Sequence, residues 1–140
     1  MKKILLGCIW VVAVFCLFSG SYAPGAHAAK PTKVEVLYMN HGPLMDTLDK
    51  MKSVFSSYGD SISVSWYDFE SKEGEDFKTK KGINQHVPLV IWIDGNSVVT
   101  LRSKQVKFVG YPTGAGPALF QGKWSIDDLT KVLDQATSGK

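Results

Sequence analysis

Cysteine is almost missing from this chain. Of its 140 residues only Cys8 and Cys16 carry a thiol, and both fall near the N-terminus. From residue 29 onward, then, there is no structural disulfide, no cysteine-ligated zinc site and no redox dithiol. Uninterrupted hydrophobic length is also short. The apolar run Ile4 to Phe18 spans 15 residues, against the roughly 20 a membrane-spanning helix needs. An excess of one charge is missing too. The 16 Lys and Arg face 13 Asp and Glu. Without Lys2 and Lys3 the 16 become 14, a net +1 against the same 13 acids. That balance argues for neither nucleic acid nor an anionic membrane as a partner. There is no internal repeat and no low-complexity tract.

What is present begins with a leader. Lys2-Lys3 is a basic start, Ile4–Phe18 an apolar stretch, and Ala26-His27-Ala28 has the small-x-small form of a signal-peptidase site. Leu5-Leu6-Gly7-Cys8 looks like a lipobox but has too few residues before it, and Cys16 follows the bulky Phe15. The expected organisation is a signal peptide over 1–28, a short tether over 29–32 and one domain over 33–140. Removing 28 of 140 residues would leave 112, enough for one modest core. Export would deliver that chain to a periplasmic or extracellular space, where disulfides persist, yet it would carry no cysteine.

The domain alternates strand and helix patterns. Lys33–Met39 is rich in β-branched and aromatic residues and reads as a strand. Leu44, Leu48, Met51, Phe55 and Tyr58 then recur at helical spacing. Pro43 suits the first helical position and Gly59 a stop. Ile62–Phe69 reads as a second strand, and Glu75–Lys81 as a short helix closed by Gly82. The Lys78–Lys81 run is its solvated face. Val87–Ile93 is nearly all apolar, as a strand buried on both faces would be. Asp94-Gly95 is a hairpin signal, leading to short strands at Ser97–Leu101 and Gln105–Val109. A loop rich in Gly, Pro and aromatics fills 110–124. Ser125 then caps a helix that buries Ile126, Leu129, Val132, Leu133 and Ala136.

The turn Met39-Asn40-His41-Gly42-Pro43-Leu44 and the proline opening a buried strand, Pro88, carry a resemblance. With the order strand–helix–strand–helix–strand–strand–helix, they make the segment from Lys33 to Ala136 similar to the thioredoxin-like superfamily. His41-Gly42-Pro43-Leu44 stands where those proteins hold Cys-Gly-Pro-Cys. The resemblance implies an α/β fold with a mixed central sheet flanked by helices. It also implies a cis Val87–Pro88 peptide beside the turn and a buried acid where Glu35 falls. The chain departs from the family in its missing cysteines, in one more residue between Ile83 and Pro88, and in an extra strand plus the long loop before the last helix.

Thiol–disulfide exchange needs a thiolate, so the resemblance keeps a scaffold and loses its reaction. The expected activity is non-catalytic binding of a peptide or protein partner in the cell envelope. The candidate contacts are His41, Gly42, Pro43, Val87, Pro88 and Tyr111. Val87 is included for backbone groups that an extended peptide could pair with, and Trp66, Tyr67 and Trp124 as further rim candidates. The alternative is a transition metal of the copper type, held by His41 and His86 with Met39 or Met45. No serine-nucleophile elbow is present. Gly114-Ala115-Gly116 precedes a proline and opens no helix, so it fails as a dinucleotide loop. One outcome follows directly. The chain with its leader removed should reduce insulin no faster than buffer, and turnover above that blank would refute the redox-inactive reading.

Overall fold

A computed structural model describes residues 30–139. The leader, with Cys8 and Cys16, lies outside the described residues. The fold is α/β. Strand β1 (Thr32–Tyr38) leads into helix α1 (Gly42–Ser56), then β2 (Ile62–Asp68), α2 (Lys72–Lys81) and β3 (Leu89–Ile93). A hairpin of β4 (Val98–Leu101) and β5 (Lys104–Lys107) follows, and α3 (Ile126–Thr137) closes the chain. The main sheet runs β2-β1-β3, with β2 parallel and β3 antiparallel to β1. It is a mixed sheet flanked by helices. No helix among the described residues is long and apolar enough to cross a membrane.

β1 organises two cores. Val34 and Val36 face α1 and α3 and pack with Leu44, Leu48, Met51, Phe55, Leu129 and Leu133. Leu37 faces the other way and joins Phe77, Val90 and Trp92 beneath α2. Each fully buried side chain of this kind contributes roughly 1.5–3 kcal/mol. The uniformly apolar β3 follows from the same arrangement, since all five of its residues are buried.

The local signals explain most boundaries. Ser71 Oγ accepts from Gly74 N at 3.0 Å, so α2 starts at Lys72, earlier than its apolar content suggests. Ser125 and Asp128 form a reciprocal capping box at the start of α3. Asp94 and Gly95 both take positive φ (46° and 86°) in the tight turn that joins Ile93 to Asn96, as a primed hairpin turn requires. α1 ends at Ser56, and Gly59 opens a separate 3-10 turn (Gly59–Ser61). Met45, on the outer side of α1, is exposed, so only Met51 of the two helix methionines belongs to the core.

One expectation is overturned. There is no cis peptide among the described residues, so the Val87–Pro88 bond is trans. Pro88 lies one residue before β3, where no ladder N–H is asked of it. Its carbonyl accepts from Met39 N at 2.9 Å. A trans bond meets that requirement, and the cis form was implied only by the resemblance.

Glu35 is the costly residue of β1. It is only 2 % exposed, and its carboxylate takes Lys33 Nζ at 2.6 Å and Lys81 Nζ at 2.7 Å. Burial pushes its pKa up, but the hydrogen bonds and charges of the two lysines outweigh that and hold it below the usual carboxylate value. Lys81 also lies over the rings of Phe77 and Trp92, at 5.2 and 5.0 Å. A carboxyl with a lowered folded pKa binds fewer protons folded than unfolded. Its stabilisation is therefore present above the unfolded pKa of about 4.3 and is lost as pH falls through the folded value. Glu35→Gln should cost about 1–3 kcal/mol at pH 7 and progressively less below pH 4, read by urea unfolding at each pH. An equal cost at both pH values would contradict this account.

Candidate functional site

The C-terminal end of β1 gathers three separate segments. Met39 N bonds Pro88 O at 2.9 Å, Phe69 N bonds Tyr38 O at 2.7 Å, and His41 N bonds Met39 O at 2.9 Å. The exits of β1 and β2 and the entry to β3 therefore meet around His41. His41 is the N-cap of α1, with extended backbone and no side-chain bond to the helix. Its half-exposed imidazole points its Nε2 toward Glu70 Oε1, 3.8 Å away. Glu70 carries no motif that would single it out in the sequence. It reaches His41 only because β2 pairs in register with β1 up to Asp68.

The loop from Gly110 supplies the opposite wall. Residues 108–110 continue the sheet alongside β3, through Ile91 N to Phe108 O (3.0 Å) and Gly110 N to Leu89 O (2.8 Å). The chain then folds on itself. Tyr111 N donates to Phe120 O at 2.8 Å and Gly122 N to Tyr111 O at 2.6 Å, with a 3-10 turn at Ala118–Phe120. Trp124 Nε1 donates to Gly110 O at 3.1 Å and locks the base. The long loop thus carries its own structure.

Between these walls lies a groove of about 470 Å³, lined by Met39, His41, Gly42, Pro43, His86, Pro88, Tyr111, Pro117 and Phe120. The lining is mostly apolar. His41 and His86 both border it, and the edge of the His86 ring meets Phe69 at 5.5 Å between centroids. Burial pushes the Tyr111 phenol up from its ordinary pKa.

Of the six sequence-chosen contacts, five line this groove: His41, Gly42, Pro43, Pro88 and Tyr111. Val87 does not. Its side chain packs against the Leu37–Phe77–Trp92 cluster on the other face. Its backbone is another matter. Among the described residues no backbone hydrogen bond engages positions 84–87. The other aromatic rim candidates pack toward the cores, Trp124 fully buried and Trp66 and Tyr67 partly so. Trp124 is 1 % exposed, Trp66 packs on Tyr38 and Phe55, and Tyr67 stacks on Phe77 at 3.8 Å. Alternation along β2 sends Trp66 and Tyr67 to opposite faces of the sheet, and neither reaches the groove. Leu119, in the same loop, is 88 % exposed.

For a metal, the donor set is thin. Met39 lines the groove but Met45 does not. Among the described residues no three His, Cys, Asp or Glu side chains group as a metal site. No family model matches the chain, and no curated protein or solved structure matches it.

Gly116 sets the shape of the loop wall. It sits at φ +62°, and a Cβ there would fall 2.4 Å from the Tyr111 ring. Gly116→Ala should therefore displace Tyr111 and cost about 1–3 kcal/mol. Thermal unfolding checks the loss, and an unchanged melting temperature would contradict the close approach.

Proposed function

We propose that this protein is an exported, redox-inactive thioredoxin-like module that binds an extended peptide or protein segment in the cell envelope. The observation that carries the reading is the convergence of Tyr111, Pro117 and Phe120 on the His41–Pro43 turn and Pro88, making one apolar groove. Unpaired backbone at His86 and Val87 runs near that groove and offers an extended chain hydrogen bonds of the strand-addition kind. The thioredoxin-like assignment is supported by the parallel β1–β2 and antiparallel β1–β3 pairing, by Gly42-Pro43 at the strand-to-helix turn, and by the buried acid Glu35. The trans Val87–Pro88 bond sets this chain apart from the form the resemblance implies. Export is supported by the leader pattern of residues 1–28.

A metal is the second reading, favoured by one observation: His41 and His86 border the same groove. Imidazoles suit copper or zinc, and they would need a ligand from solvent or from the partner to complete a shell.

One set of measurements separates the two. The protein is probed against an array of short peptides in apolar, acidic and basic sets, and dialysed in parallel against copper and zinc. The peptide reading expects retention on the apolar set, weakened at least about tenfold, or 1.4 kcal/mol, by Phe120→Asp. No retained peptide, or binding indifferent to Phe120→Asp, overturns it. Stoichiometric metal uptake that disappears in both His41→Ala and His86→Ala would establish the second reading in its place.

A further inference from the structure

β2 is an edge of the main sheet, with β1 on one side and no strand on the other among the described residues. Its outward backbone groups follow from the register. Phe69 N points at β1, where it bonds Tyr38 O, so positions 63, 65 and 67 also face β1. Alternation then turns the N–H and C=O of Ile62, Val64 and Trp66, and the N–H of Asp68, away from the sheet. The Asp68 carbonyl is already taken by Ser71 N and Ser71 Oγ.

Edge strands of monomers are commonly guarded by lysine, proline, a bulge or a covering element. Apart from Asp68 at its end, β2 has none of the residue guards. Ile62-Ser63-Val64-Ser65-Trp66-Tyr67 is uncharged and free of proline, it pairs with β1 without a bulge, and Val64, Trp66 and Tyr67 remain partly exposed. The strand is also its own complement. Laid antiparallel on a second copy over its full length, it centres on Ser65. Val64 falls opposite Trp66, both outward-facing as a hydrogen-bonded pair must be, and Ile62 falls opposite Asp68, whose N–H alone remains to donate. Val64 against Trp66 is a β-branched residue against an aromatic one, a favourable cross-strand pair. Ser65 meets Ser65 on the two-fold axis.

We propose that the β2 edge is a self-association surface, and that its occupant is β2 of a second copy of this chain. The pairing joins two three-stranded sheets into one continuous sheet by an isologous contact. It leaves the groove beside His41 uninvolved, so it stands or falls apart from the peptide-binding reading.

The register makes a specific cross-link test. Non-hydrogen-bonded partners in an antiparallel pair have Cα atoms about 4.5 Å apart, within the range of about 4.4–6.8 Å that a disulfide spans. The full-length coding sequence, with Cys8 and Cys16 changed to serine, would receive a single cysteine as Ser65→Cys, Ser63→Cys or Ser138→Cys. Under mild oxidation Ser65→Cys should form the inter-chain disulfide at least about tenfold faster than Ser138→Cys, because pairing raises the effective thiol concentration. Ser63→Cys, which faces Tyr67 in this register, should not. Sedimentation equilibrium of the parent chain should show a dimer. Ser65→Lys should return it to a monomer with an unchanged circular-dichroism spectrum. A parent chain that sediments as a monomer overturns the proposal. So does Ser65→Cys oxidising no faster than Ser138→Cys, or a dimer indifferent to Ser65→Lys.

Discussion

β1 is paired along both of its edges, and the rest of the molecule takes its position from that fact. Its even-numbered backbone groups face β2 and its odd-numbered ones face β3, as the bonds from Phe69 N to Tyr38 O and from Met39 N to Pro88 O show. A one-residue slip would exchange Val34 and Val36 with Glu35 and Leu37, sending a carboxylate into the larger core. The same two bonds fix where the neighbouring chains leave the sheet. Glu70 comes just after Phe69, and His86 comes just before Val87-Pro88. Both are delivered to the end of β1, beside the N-cap of α1. The residues around His41 are neighbours because of strand register. No local sequence motif places them there.

That central strand also contains a charge. A carboxylate 2 % exposed between apolar layers is tolerable only if its oxygens are occupied. Lys33 reaches it from two residues away on β1 itself, and Lys81 comes from the last turn of α2. Glu35 therefore ties α2 to β1 through a bond a purely apolar strand would not have, and the stack of Tyr67 on Phe77 holds the same helix from the side of β2. Lys81 belongs to a run of lysines that reads from sequence as a uniformly solvated face. That Lys78 and Lys81 turn partly inward while the residues between them are exposed is invisible in composition, which is why this partner of Glu35 is found only in three dimensions.

The elements themselves are largely legible in the chain. The apolar stripe of α1, the capping Ser125, the Asp94-Gly95 turn and the uniformly apolar β3 each carry a local physical cause, and each stands within a few residues of its expected place. What local patterns cannot carry is distance in sequence. Gln105–Val109 reads as one short strand, yet it splits into a hairpin arm, β5, and an extension of the main sheet at 108–110. Trp66, Tyr67 and Trp124 read as rim candidates because they are aromatic, yet Trp124 is buried in the core and Trp66 and Tyr67 pack partly buried against the two cores. Val87 is a candidate only through a cis-proline geometry that the chain does not adopt. Tyr111 and Phe120 come from a loop whose path depends on bonds to Leu89, Phe108 and Gly110, and composition signals its order without revealing its direction.

The placement of that loop changes what the turn at His41 can be for. In a dithiol protein the turn is the site because sulfur reacts there. Here position 41 holds an imidazole and position 44 a leucine buried in the core, so the turn carries no thiol. The loop completes that shape with a phenol, a proline and a phenyl ring, held by backbone bonds from Tyr111 to Phe120 and Gly122. A wall fixed by main-chain bonds keeps its aromatic side chains in place before any ligand arrives, which lowers the ordering cost of binding. The groove is then a preorganised apolar surface with two imidazoles on its border. In the peptide-binding reading proposed above, selection would rest on the fit of side chains along this groove, with the unpaired backbone of His86 at its border.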